Sequence, residues 1–326
     1  MQLTMSEAIN RVIAGALEGP EPVMVLGQDV GPHGGVFGVT RGLWEKYGDD
    51  VIRDGPLCES STVGFGIGLA ISGVRAIVEL EIFDFVGVAM DQVFNQAAKL
   101  HYFTGGKLSV PLVIRAPIGA RIGMGPQHSQ SLEAWFMHIP GLKVAMPSNA
   151  ADAYGLLRTA LADSNPVLFL ECARAYGRRA EVDLDAPPIP FGRARIACEG
   201  RDVTIVAFSG MVDEALAAAG RLKEEGVAAE VIDPRTIAPL DREAILDSVR
   251  KTGRLVITHD AHKTAGIGAE IATLVVEGAF DALKAPPERV AALDVPIPSG
   301  PLLVEVYPNA DGIIAAVRRT LGKGRA

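Results

Sequence analysis

Ala8, Ile9, Val12, Ile13, Ala16 and Leu17 recur at the three- and four-residue spacing of one helix face, and the chain opens on that helix. Thr4 and Glu7 frame its start as a capping box, and Pro20 and Pro22 end it. A second pattern then takes over, in which short unbroken apolar runs alternate with longer amphipathic stretches. It predicts strands at 23–26, 51–53, 75–80, 110–114, 143–146 and 167–171. Helices are expected at 43–47, from about 62, at 86–100, and from a cap at Asn149 to about 162. Strands that read as continuous apolar runs are covered on both faces, so the expected fold class is α/β with a parallel, doubly wound sheet.

The pattern stops at 178–200, where Arg178 and Arg179 precede the run Ala186-Pro187-Pro188-Ile189-Pro190. This stretch is expected to be a linker between domains at 1–177 and 201–326. Beyond it the alternation resumes, with strands at 203–208, 229–232 and 255–258 and helices at 212–225, 241–251, 266–277 and 312–321. A length of 326 residues suits two such domains.

Composition narrows the class. With 48% hydrophobic and 21% charged residues the chain is a packed globular protein. A net charge of −8 argues against a nucleic-acid surface. Three cysteines without C-x-x-C spacing point to a reducing compartment and no structural zinc. Neither a signal peptide nor an apolar run of membrane-spanning length is present, so the expected location is cytoplasmic and no membrane partner is expected.

The candidate chemistry begins in Arg53–Ala70, where Glu59 stands between Pro56-Leu57-Cys58 and the hydroxyl cluster Ser60-Ser61-Thr62. The hydroxyls predict caps for a helix starting near Thr62, and Gly64, Gly66 and Gly68 would let a backbone or a ligand approach closely. An acid here is either a favourable charge at a helix N-terminus or a desolvated carboxylate facing a ligand. Glu79, Glu81 and Asp84 lie among apolar residues and need partners. His128 follows a second Gly-rich loop, 119–125, a setting in which a structural and a functional histidine are equally expected. There is no P-loop, no H-E-x-x-H and no G-x-S-x-G. Gly64-Phe65-Gly66-Ile67-Gly68 lacks the preceding buried strand and correctly spaced third glycine of a dinucleotide fingerprint.

Several segments then fall into one order: H-G-G-V-F-G-V-T-R-G-L-W-E-K-Y-G, P-L-C-E-S, F-D-F-V-G-V-A-M-D-Q, G-P-Q-H-S-Q-S, H-I-P-G-L-K-V, D-P-R-T-I-A-P-L-D and A-G-I-G-A-E-I. Together they resemble, over nearly the whole chain, the β subunit of the thiamine-diphosphate-dependent first component of 2-oxo acid dehydrogenase complexes. The resemblance implies a transketolase-like pyrimidine-binding domain, then a transketolase C-terminal-like domain. It implies two α and two β chains with active sites at α–β interfaces, a 2-oxo acid substrate and a lipoylated acyltransferase partner. Glu59 matches the glutamate that hydrogen-bonds the cofactor pyrimidine. Phe85 matches an aromatic contact to that ring, with Leu57 and Ile82 as its apolar walls, and His128 matches a histidine on the substrate side.

Leu112, Ala160, Leu161, Asp163 and Asn165 match a potassium site described for some members, although 160–166 reads equally well as a capped helix end. The chain has no G-D-G…N element to hold magnesium and diphosphate, so the α subunit is expected to supply the Mg2+ site. Gln28, Gly55, Cys58 and Ala173 depart from the family pattern, and Gln28 removes an acid from any proton path. Q-H-S-Q-S-L-E-A-W resembles pyruvate- and acetoin-type members more than branched-chain ones; a pyruvate-type member is favoured, with an acetoin-cleaving enzyme or a branched-chain member as the alternative. A non-catalytic assembly subunit is the rival from another class, and the presence of Glu59 and His128 argues against it.

Overall fold

The computed structural model describes residues 1–119 and 123–322. The first elements are β1 (Gln2–Thr4), α1 (Met5–Leu17), β2 (Val23–Gly27), α2 (Leu43–Tyr47), β3 (Ile52–Asp54), α3 (Glu59–Ile71) and β4 (Arg75–Glu79). Next come α4 (Ala98–Phe103), β5 (Leu112–Ile118), α5 (Glu133–Met137), β6 (Lys143–Ala145), α6 (Ala150–Ala162), β7 (Val167–Cys172) and β8 (Arg179–Glu181). The expected capping box is present: Glu7 N–H donates to Thr4 Oγ1 at 3.2 Å, and Thr4 N–H donates to Glu7 Oε2 at 2.8 Å.

The chain divides into two compact units, the first formed by 1–118 and 135–191, the second by 119–134 and 192–326. In the first, strands run in the order β6-β7-β5-β4-β2-β3, and every pairing among them is parallel. All seven residues of β5 are buried, as a central strand of a covered sheet requires. α1 and α6 pack together over one cluster of buried apolar side chains. α3 lies on β4, and a Cβ at Gly66 would meet Val78 Cγ2 at 2.6 Å, so this glycine serves the closeness of helix to sheet.

The expected helix at 86–100 is less regular. A 3₁₀ turn covers Phe83–Gly87 and a π segment Gln92–Ala97 before α4. The one-residue expansion of the π segment keeps Val93 and Ala97 in the core while Phe94 turns partly outward. The 178–200 stretch is not all irregular. β8 pairs antiparallel with β1, and β9 (Arg195–Cys198) joins the second sheet.

The second unit continues with β10 (Val203–Ala207), α7 (Met211–Glu224), β11 (Ala229–Asp233), β12 (Thr236–Ala238), α8 (Arg242–Thr252) and β13 (Leu255–His262). It closes with α9 (Ile267–Ala279), β14 (Glu288–Ala292), α10 (Leu303–Val306) and α11 (Ala310–Thr320). Its strand order is β14-β13-β10-β11-β9, parallel except for the edge strand β9. No helix among the described residues is long and apolar enough to cross a membrane.

Candidate active site

Glu59 is the first residue of α3, with Cys58 as the N-cap, so the helix starts three residues earlier than the hydroxyl cluster suggests. The reason is where those hydroxyls go. Ser60 Oγ donates to the Val88 carbonyl at 2.6 Å, and Thr62 Oγ1 donates back to the Cys58 carbonyl at 3.1 Å. They serve the first turn instead of capping it, and α3 has no side-chain cap. An acid at this position lies within the positive end of the helix dipole.

Around Glu59 the first unit gathers Gln28, Pro56, Cys58, Thr62, Glu79 and Glu81. They form a narrow shelf, and the space between them is only about 10 Å³, about enough for one water. Glu81 keeps its proton above the usual glutamate range, first because it is partly desolvated and then because Asp29, Glu79 and Glu59 are nearby acids. A hydrogen bond between the Glu81 and Asp29 carboxyls acts in the same direction. Asp29 closes the turn after β2 with φ at +54°, a left-handed conformation uncommon outside glycine.

Beneath the shelf lies a group that sequence reading sees only in part. Glu79, Arg115 and Glu171 stand on the adjacent strands β4, β5 and β7, and all three are buried. Arg115 grips Glu171 with two hydrogen bonds, Nε to Oε1 at 2.7 Å and Nη2 to Oε2 at 2.6 Å, and its Nη1 pairs with Glu79. Tyr176 donates its hydroxyl to Glu171 Oε2 at 2.5 Å. Burial raises the Glu79 pKa and Arg115 opposes it. This group supplies the partner that Glu79 was expected to need. Its only signal in the sequence is a charged residue within or at the end of each of three apolar strands, far apart along the chain.

The other expected residues are placed differently. Leu57 is 73% exposed just before α3, Ile82 is buried, and Phe85 is half-buried on the 3₁₀ turn. None of the three lines the shelf. His128 belongs by its contacts to the second unit, in a turn where its N–H donates to the Gly125 carbonyl at 3.3 Å. The same segment buries Ser129, Ser131 and Glu133. Burial raises the Glu133 carboxyl to about 7, and the Asp260 charge adds to the effect. Nothing in the sequence pattern marks Glu133 as a residue of the interior.

Two of the residues matched to potassium already have partners within the chain. Lys143 Nζ pairs with the Asp163 carboxylate, and Arg75 Nη1 donates to the Asp163 main-chain carbonyl at 2.8 Å. Asn165 N–H donates to Asp163 Oδ1 at 2.9 Å, and Asp163 N–H to the Ala160 carbonyl at 3.3 Å. The chain's own cations and amides thus engage Asp163 and Ala160. Leu112 and Leu161 are buried.

Comparison with known proteins agrees with this architecture. Residues 1–178 match the transketolase pyrimidine-binding domain and residues 192–313 the transketolase C-terminal domain. A split-gene transketolase solved as an inactive β4 tetramer superposes with a TM-score of 0.81 over 99% of both chains, at 24% identity. These two modules in tandem define a transketolase-type α/β chain.

Among curated relatives, the acetoin:2,6-dichlorophenolindophenol oxidoreductase β subunit of Cupriavidus necator is 44% identical, covering 99% of both chains. The pyruvate dehydrogenase E1 component subunit beta-1 of rice is 44% identical over 98% of this chain and 86% of that protein. The mouse pyruvate dehydrogenase E1 β subunit is also 44% identical, over 98% of this chain and 91% of its own. The chain belongs to the family of β subunits of the first (E1) components of 2-oxo acid dehydrogenase complexes.

Proposed function

We propose that the chain is the β half of a thiamine-diphosphate-dependent enzyme that decarboxylates a 2-oxo acid, pyruvate in the favoured case, and passes the acyl group to a lipoylated acyltransferase. The observation that carries the reading is Glu59 at the first position of α3, gathered with the acids Glu79 and Glu81, of which Glu79 pairs with the buried Arg115. When bound, thiamine diphosphate supplies the carbanion that attacks the 2-oxo carbon and the electron sink for loss of carbon dioxide.

Glu59 holds the pyrimidine and shares a proton with its ring nitrogen. Leu57, Ile82 and Phe85 form the apolar surround of the ring once the α subunit closes the shelf. His128 faces the substrate. Mg2+ and the diphosphate belong to the α subunit, and no step is assigned to potassium.

Acetoin cleavage is the second reading, favoured by the end-to-end match to the Cupriavidus necator subunit. Co-expression with an α subunit, followed by dye reduction with pyruvate, branched 2-oxo acids and acetoin, separates the two. Turnover with acetoin alone selects the second. In either case Glu59→Gln should lower turnover by at least about 100-fold. Wild-type turnover in that variant would sink the mechanism.

A further inference from the structure

We propose that Tyr307 is a positioning residue for His128. Its hydroxyl donates to the main-chain carbonyl of Ser129 at 3.0 Å, and both residues are buried. Ser129 is the residue that follows His128, so this hydrogen bond fixes the peptide plane at the exit of the turn that begins at Gly125. The turn is tight at its other end, where Gly125 has φ at +81°. Tyr307 therefore adds a side-chain hold at the exit of a turn whose backbone closes from His128 N–H to the Gly125 carbonyl. The Ser129 hydroxyl makes no hydrogen bond and adds no hold.

The ring of Tyr307 packs in a small apolar cluster with Ile297, Leu303 and Val306, separate from the main core of the second unit. That separation divides its two roles. The ring belongs to the packing of 297–307, and the hydroxyl reaches across to the His128 turn. On the same side, Pro126 and Gln130 of the turn face Asp294–Ile297 across a groove of about 540 Å³. The His128 segment thus faces 294–297 across the groove, and the Tyr307 hydroxyl is a donor to its main chain.

Without that donor, the Ser129 carbonyl would be left buried without its partner and would rotate to find another. The imidazole one residue away would move with it. A displacement on the order of 1 Å at a group that faces substrate costs up to about 100-fold in rate. The inference rests on the reading of His128 as the residue on the substrate side.

The test is a double-mutant cycle on the reconstituted α–β enzyme, using Tyr307→Phe, His128→Gln and the pair. The ring remains in Tyr307→Phe, so its melting temperature should stay close to wild type while kcat falls about tenfold. On the His128→Gln background the same change should have no further effect on kcat. Replacing Tyr307 by 4-aminophenylalanine, which keeps an N–H donor at the same place, should restore most of the lost rate. It serves as the second variant if Tyr307→Phe does not assemble.

Wild-type kcat in Tyr307→Phe would overturn the proposal. So would an equal loss from Tyr307→Phe in the presence and absence of His128, or failure of the amino analogue to rescue. If His128→Gln itself turns over like wild type, the reading of His128 fails, which is a separable outcome.

Discussion

Glu133 illustrates how a single buried group ties stability to pH. Its folded pKa of about 7 stands above the ordinary value of 4.5, with burial as the main cause. Between those values the unfolded chain loses a proton that the folded chain keeps. Stability from this group is therefore complete below pH 4.5 and declines as pH rises through about 7. The total is on the order of 3 kcal/mol. Glu133→Gln should flatten the fall in melting temperature between pH 5 and pH 8, measured by thermal denaturation of the assembled protein. An unchanged slope would show that the carboxyl is ionised within the fold. His259 works in the opposite direction, since burial lowers its pKa from 6.5 to about 4 and its contribution is lost as pH falls through that range.

Legibility at this scale followed how local the cause was. Thr4 and Glu7 were readable because a capping box is complete within four residues. Glu59 was readable as a residue near a helix start, but its exact place was not. The destination of the Ser60 hydroxyl, the Val88 carbonyl, lies 28 residues away. Tyr307 and Glu133 carried no local signal, because their partners Ser129 and Asp260 are distant in sequence.

Strands were the most legible elements, since a covered parallel sheet imposes continuous apolar runs. The helix at 86–100 was legible in kind but not in form, because a π segment keeps the apolar spacing nearly intact while changing the register. The charges inside β4, β5 and β7 make a prediction at this scale. Arg115→Met leaves two buried carboxylates facing each other and should cost about 3–5 kcal/mol in denaturant unfolding. Adding Glu79→Gln and Glu171→Gln should recover part of that loss, and no recovery would mean that packing, not charge, holds the three strands.

The loop after α6 makes a second prediction. With Lys143 and Arg75 already on Asp163, KCl should raise the melting temperature no more than NaCl at equal ionic strength. A saturable, potassium-specific rise would show that the cation displaces the lysine.

For the whole molecule, the space around Glu59 has room for about one water and none for a cofactor ring, so one chain alone offers no cofactor cavity there. The purified β chain should show no tight, magnesium-dependent binding of thiamine diphosphate in calorimetry, whereas the α–β assembly should. Tight binding by β alone would refute the division of the site between chains. The tandem order of two α/β modules was legible from the break at the proline run. The ownership of 119–134 by the second unit was not, because contact sets it and chain order does not.

That ownership has a consequence for anyone recombining relatives of this protein. A crossover placed at Phe191 looks clean on a linear map, yet it parts residues 192–326 from the segment 119–134. The donor's Tyr307 would then meet the recipient's version of the Ser129 turn, and the donor's Asp260 the recipient's residue at position 133. A transplantable second module therefore consists of two pieces of chain, and libraries that shuffle only the downstream piece should yield folded hybrids with impaired turnover.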